Sequence, residues 1–254
     1  RVIVNAVSKP ETISAYLALR FIGASVVFLD KNATEETTKS IIEDSEPVLL
    51  LTDKPIKFDI SPVMLSSLKG LSAGEAAQGL THYIPEDESL SEMIYTSGTT
   101  GKPKGVMLSA KAVFNILHNT VKGIGIQSDD IILLPLPLHH SYALRVLRAY
   151  LWQGGHIVLQ NGFAFGRETQ QNIENFGCTA MSAVPASMEL MRNQLKEKFI
   201  PLMQKLRYIE CGSGSLTMEQ RNRLVNALPD TAIYNTWGSS ESGGALFLDV
   251  TDIV

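Results

Sequence analysis

Apolar and polar positions along this chain follow two alternating periods. Short runs dominated by apolar and β-branched residues read as buried strands: Val2–Val7, Val26–Leu29, Val48–Leu51, Ile131–Leu134, His156–Leu159, Thr179–Val184, Tyr208–Cys211 and Ala232–Tyr234. Between them lie stretches with helical spacing. Ser8 with Glu11 makes a capping box, Pro10 falls in the first turn, and Gly23 is a C-terminal stop. Glu35–Glu43 reads as a second helix. Ser109 caps a third, whose Val113, Ile116, Leu117 and Val121 share one face. Tyr142–Trp152 is a helix closed by Gly154 and Gly155, and further helices separate Thr179–Val184 from Tyr208–Cys211. Thr217 with Gln220 forms another capping box, opening a helix that runs to Leu228. Residues 53–88 fit neither period and are punctuated by Pro55, Pro62 and Pro85. The alternation predicts an α/β fold of layered mixed or parallel sheets flanked by helices.

Composition narrows the function classes. A chain of 254 residues can bury a sizeable core, as one large domain or two small ones. A formal net charge of −4 gives no basic footprint for nucleic acid or an acidic membrane surface. The longest apolar run, Ile131–Leu138, is broken by Pro135 and Pro137 and falls well short of the roughly 20 residues a membrane span needs. No signal peptide is visible. Cys178 and Cys211 lie among apolar residues, outside any CxxC or Cys/His metal spacing, and are expected to be buried and reduced, as in the cytoplasm. The chain begins Arg1-Val2-Ile3-Val4 inside a strand-like run and stops at Val254 without linker composition, so it is expected to be an excerpt of a longer protein.

The strongest chemical signal is Thr96-Ser97-Gly98-Thr99-Thr100-Gly101-Lys102-Pro103-Lys104-Gly105, which follows the strand-like Met93-Ile94-Tyr95. Glycine lets a backbone turn tightly and aim N–H groups at an anion, hydroxyls add donors, and Lys102 and Lys104 add charge. Such a loop can cradle a polyphosphate. The same residue types also serve a hairpin turn or a flexible linker, and the spacing does not match the GxxxxGK[ST] phosphate loop.

The order of these residues decides between the readings. Tyr95 through Gly105 closely resembles the signature loop of the adenylate-forming superfamily, which includes acyl-CoA synthetases, coumarate-CoA ligases, firefly luciferase and nonribosomal adenylation domains. The resemblance extends from about Val2 to about Gly244. Pro137-Leu138-His139-His140-Ser141-Tyr142 resembles the family's Pro-Leu-x-His-x-aromatic segment, with His140 on the active-site histidine, Tyr142 lining the acid pocket and His139 structural. Cys211-Gly212-Ser213-Gly214-Ser215-Leu216 resembles a Ser-Gly-Ala-x-Pro-Leu turn that lies against adenine, with Ser215 in place of proline. Asn235-Thr236-Trp237-Gly238-Ser239-Ser240-Glu241 resembles a Gln/Asn-Gly-Tyr-Gly-x-Thr-Glu motif.

By this resemblance, a carboxylic acid attacks the α-phosphate of ATP, giving acyl-AMP and pyrophosphate, and a thiol then displaces AMP. Thr96, Ser97, Gly98, Thr99, Thr100, Gly101 and Lys104 would hold the β- and γ-phosphates. Ser213, Gly214, Ser215 and Trp237 would hold adenine, Ser240 the α-phosphate, and Glu241 Mg²⁺. His140, Tyr142, Gly212 and Gly243 would border the acyl group, with His140, Ser240 and Glu241 as the catalytic set. Ser242-Gly243-Gly244 suggests an open pocket, which disfavours acetate as substrate. The thiol would be coenzyme A or a carrier-protein phosphopantetheine. Amino-acid-activating relatives place an aspartate where this chain has Ser141, which favours a free acid over an amino acid. A non-catalytic nucleotide-binding role is the remaining alternative. Residues 1–254 would then be a partial N-terminal domain, lacking its start, the ribose aspartate, the hinge and the C-terminal lid with its lysine. Such a piece is expected to bind nucleotide without turning over.

Overall fold

The computed structural model describes residues 1–70, 83–96 and 102–251. The chain divides into two compact units: Arg1–Phe114 with Pro137–His139, and Asn115–Leu136 with His140–Val254.

In the first unit the strands are β1 (Val2–Ala6), β2 (Val26–Asp30), β3 (Leu49–Leu51), β4 (Pro62–Val63), β5 (Leu90–Thr96) and β6 (Lys104–Ser109). They form one sheet in the order β4-β3-β1-β2-β5-β6. All pairings are parallel except β5–β6. A parallel strand covered on both faces cannot alternate with solvent, so its sequence reads as a continuous apolar run. Val2–Val4 and Val26–Leu29 are such runs, and all are buried. Ile3, Val27, Leu29, Ile41, Leu50 and Met93 form a common core cluster. Helices α1 (Pro10–Phe21) and α2 (Glu35–Ser45) connect the first three strands. The expected Ser8–Glu11 capping box does not form: Lys9 is the N-cap and makes no side-chain cap bond. Pro10 sits in the first turn, where its missing N–H costs nothing, and this sets the helix start one residue later than a Ser8 cap requires. The Lys9 ammonium instead pairs with Asp53.

Strand β6 departs from the sequence pattern. Its Lys-Gly opening reads as loop, yet Thr96 pairs across to Lys104 and Tyr95 to Gly105. Strands β5 and β6 therefore run antiparallel up to the two ends of the Thr/Gly-rich stretch. After it, helix α3 (Ala110–Ile124) starts at Ser109 as expected, with the Ala112 N–H donating to Ser109 Oγ at 3.2 Å.

The second unit contains β7 (Ile131–Leu134), α4 (Ser141–Gln153), β8 (His156–Leu159), α5 (Gly166–Phe176), β9 (Ala180–Ala183), α6 (Pro185–Leu195), α7 (Phe199–Met203), β10 (Tyr208–Gly212), α8 (Met218–Ala227), β11 (Ala232–Trp237) and β12 (Leu246–Asp249). The sheet order is β12-β11-β10-β9-β7-β8, parallel except for β11–β12. The Thr217–Gln220 capping box forms in both directions, at 3.2 and 3.0 Å. Gly154 ends α4 in the left-handed conformation, at φ 83°. Cys178 and Cys211 are buried and unbridged. Burial pushes the Cys178 thiol up to about 11 and, with the charge of the adjacent Glu210, the Cys211 thiol up to about 12, so both are protonated and inert at neutral pH. Among the described residues, no helix is long and apolar enough to cross a membrane.

Candidate active site

In the first unit, the hairpin base that carries the Thr/Gly-rich loop is tied down on both strands. Gly105 lies so close to its neighbours that a Cβ there would stand 3.0 Å from the Tyr95 ring and from the Met93 methyl. The Tyr95 hydroxyl donates to Asp44 Oδ2 at 2.5 Å, fixing β5 to α2. Burial and then this bond raise the Tyr95 hydroxyl well above its ordinary range, so it stays a donor. Thr96 is half-buried at the end of β5, while Lys102 and Lys104 are exposed. The expected phosphate contacts Ser97, Gly98, Thr99, Thr100 and Gly101 lie outside the described residues. His139 belongs to this unit and sits largely buried, with Nδ1 3.6 Å from Asp30 Oδ1.

In the second unit, the turn after β10 and the end of β11 line one open cleft of about 630 Å³. Ser213, Gly214 and Ser215 form one wall, and Asn235, Trp237 and Leu246 contribute to the others. Trp237 is 65 % exposed, leaving its indole face available for stacking. Ser213 holds φ at 58°, the left-handed region that costs a non-glycine residue about 1–2 kcal/mol. Such strain persists where surrounding structure over-determines it, commonly at ligand sites. Gly212 has no room for a side chain: a Cβ would meet Thr236 Oγ1 at 2.5 Å and Tyr142 Cε1 at 3.2 Å.

Beyond Trp237 the chain folds into a compact turn. The Ser239 N–H donates to Ser242 Oγ at 2.9 Å, and the Ser242 N–H returns a 3.3 Å bond to Ser239 Oγ. Gly243 N–H donates to Ser239 O at 2.9 Å, and Ala245 N–H to Trp237 O at 3.1 Å. Ser240 and Glu241 stand at the apex, half-buried and exposed respectively. The Ser239 hydroxyl, and then Glu241's own backbone N–H, hold the Glu241 carboxyl below its usual range. It is an anion at neutral pH. Among the described residues no group of three or more His, Cys, Asp or Glu side chains could hold a metal alone. One carboxylate beside hydroxyls fits Mg²⁺ delivered on a nucleotide, whose phosphates supply the other oxygens.

The glycines of this turn are packed closely on their Cβ sides. Gly243, at φ 68°, would place a Cβ 2.6 Å from the Ile116 side chain, and Gly244 one 2.7 Å from Arg145 Cδ. A side chain at either position would collide with these neighbours, so both must be glycine whatever lies on the other side of the backbone.

His140 is the N-cap of α4 and is exposed; Ser141 follows as its first helical residue. Tyr142 is buried, and its hydroxyl donates to the Glu210 carbonyl at 3.0 Å and the Ala183 carbonyl at 3.4 Å. Burial, then the Glu210 charge, pushes that hydroxyl far above its ordinary range. Tyr142 can therefore offer only ring surface. Outside the motifs read from the sequence, Arg145 forms a buried ion pair with Glu210, their side chains 2 % and 1 % exposed. The sequence signal was partial: Arg145 lies inside the apolar run Leu144–Leu147 and, three residues past Tyr142, shares its helix face.

Residues 1–253 match the family model described as AMP-binding enzyme, and the chain belongs to that family. It is 29 % identical over 245 residues to a 2-succinylbenzoate–CoA ligase of Bacillus mycoides, covering 93 % of this chain and 48 % of that protein. A 4-coumarate-CoA ligase 1 of Narcissus pseudonarcissus is 28 % identical over 204 residues, covering 78 % of this chain and 36 % of the ligase. The chain thus spans about half the length, or less, of these curated relatives. Among solved structures, an O-succinylbenzoate coenzyme A synthetase from Bacillus subtilis, in complex with AMP, shares the fold at TM-score 0.83 and 21 % identity, covering 99 % of this chain and 64 % of that one. A malonyl-CoA ligase with methylmalonyl-CoA and AMP bound does so at TM-score 0.84 and 22 % identity, covering 98 % and 54 %.

Proposed function

We propose that this chain provides the nucleotide- and acid-binding machinery of an enzyme that activates a carboxylic acid with ATP and passes the acyl group to a thiol, coenzyme A. The observation that carries the reading is the cleft in the second unit: an exposed Trp237 shares it with the strained Ser213–Ser215 turn, and the Ser240–Glu241 apex follows within a few residues. A purine needs a flat face and a close backbone, and a phosphate–Mg²⁺ group beside it needs hydroxyl and carboxylate oxygens.

Adenine stacks on Trp237 against Ser213, Gly214 and Ser215. Ser240 reaches the α-phosphate, and Glu241 holds Mg²⁺, which neutralises phosphate charge when bound. Thr96–Lys104 holds the β- and γ-phosphates. His140, the Tyr142 ring, Gly212 and Gly243 border the acid. One carboxylate oxygen attacks the α-phosphorus as the bond to pyrophosphate breaks. The thiol sulfur then attacks the acyl carbon and AMP leaves. The protein contributes positioning and fixed charges aimed at the developing negative charge.

A carrier-protein thiol is the alternative acceptor. Against an α-amino acid stands Ser141, which offers no carboxylate for a substrate ammonium. A reducing compartment such as the cytoplasm suits the unbridged Cys178 and Cys211.

Glu241→Gln tests the metal role in the full natural protein. Because Glu241 is exposed, the replacement should leave the melting temperature close to that of the parent. The adenylation rate should fall by about 10² and the Mg²⁺ concentration needed should rise. An unchanged Mg²⁺ dependence in a magnesium titration of the variant would remove Glu241 from the metal.

A further inference from the structure

Beneath the cleft, one buried side chain gathers the segments that carry the proposed site. Glu210, on β10, is fully buried and is gripped by α4 at both of its ends. Tyr142 donates to its backbone carbonyl, and Arg145, one helical turn later, pairs with its carboxylate. Ser182 on β9 donates to the second carboxylate oxygen at 3.3 Å. The Arg145 guanidinium lies over the Tyr142 ring at 4.9 Å and the Phe247 ring at 5.2 Å, and its other amino group reaches Thr120 Oγ1 at 3.5 Å. Its aliphatic stem abuts Gly244 so closely that a Cβ there would be 2.7 Å away.

The placement of these contacts matters more than their number. Glu210 lies two residues before Gly212, where the adenine turn begins. Gly244 lies three residues after Glu241, and Tyr142 two after His140. A guanidinium is planar and forks in fixed directions, so it sets orientation as well as charge. Core stability alone does not need a buried ion pair, because well-packed apolar residues of similar volume commonly serve as well or better. What apolar residues cannot do is fix the register of a helix turn, a strand end and a glycine turn through directed bonds.

We propose that Arg145 and Glu210 are positioning residues: their buried ion pair holds the start of α4, the Gly212–Ser215 turn and the Ser239–Gly244 turn in the mutual register that adenylation requires. The proposal rests on the reading of that cleft as the nucleotide site.

The test separates register from stability. In the full natural protein, the charge-free pair Arg145→Met/Glu210→Leu should melt within about 4 °C of the parent. Its AMP affinity, by calorimetry, and its acid-dependent pyrophosphate exchange should each fall by about tenfold or more. Arg145→Lys keeps the charge but loses the planar fork; it should remain folded, with exchange also about tenfold slower and KM for the acid raised. A double variant that melts, binds AMP and exchanges like the parent would show that the pair is only structural and overturn the proposal. If the double variant does not fold, parent-like kinetics in Arg145→Lys would overturn it alone. Trp237→Ala is the control for the underlying reading. Loss of AMP binding there keeps the nucleotide site, whereas unchanged AMP binding removes the reading on which the proposal rests.

Discussion

Arg145→Met, with Glu210 left in place, should lower stability by about 3–5 kcal/mol. The variant strands the Glu210 carboxylate, which is 0 % exposed and, among the described residues, keeps the Ser182 hydroxyl as its side-chain donor. A buried charge without its counter-ion retains its full desolvation penalty, and that penalty dominates the loss of the bond itself. Against a typical total of about 5–15 kcal/mol, this is a large fraction of the fold's margin. Thermal melting should shift down by on the order of 10 °C. Glu210→Gln should cost less, because the Arg145 guanidinium keeps the Tyr142 and Phe247 faces and Thr120. A melting curve for Arg145→Met that overlays the parent would mean that the Glu210 carboxylate is not a buried anion.

Gly238→Ala should damage function far more than folding. A Cβ at this position would stand 2.1 Å from the carbonyl oxygen of Gly243, a backbone atom that cannot rotate away. The turn from Ser239 to Gly244 must open, breaking the Ser239–Gly243 and Ser239–Ser242 bonds that hold Ser240 and Glu241 at its apex. Overpacking of this kind costs about 1–3 kcal/mol of stability. A displacement of about 1 Å in a group that must meet a reacting phosphate costs about 10² in rate. Pyrophosphate exchange should therefore fall by about that factor while the melting temperature drops by only a few degrees. Parent-like exchange would show that this turn takes no part in the chemistry.

The layered fold was legible because its strands are parallel and buried, and such strands leave continuous apolar runs that need no partner to be recognised. Val2–Ala6, Val26–Asp30 and Ile131–Leu134 are of this kind. The elements that escaped notice lack that signature. Strand β6 opens with Lys-Gly and exposes Met107, β12 alternates Leu246 and Leu248 outward, and α5 is polar with only Gly166, Thr169 and Ile173 buried. At the candidate site, local motifs were readable because each occupies a few consecutive residues. Long-range pairings were not: Arg145 and Glu210 are 65 positions apart, and neither residue type announces the other. The close packing around two glycines was hidden for a related reason. Nothing in the sequence shows that Ile116 packs on the Cβ side of Gly243, or Arg145 and Phe247 on that of Gly244.

Acid activation is decided by acid-dependent exchange of labelled pyrophosphate into ATP, run on the full natural protein with a panel of free carboxylic acids and α-amino acids. Mg²⁺-dependent exchange stimulated by one or more free acids, and not by amino acids, is the expected result. Exchange driven only by an α-amino acid would contradict the assigned substrate class. ATP binding in calorimetry with no exchange under any acid would contradict acid activation itself and leave a nucleotide-binding protein without this chemistry.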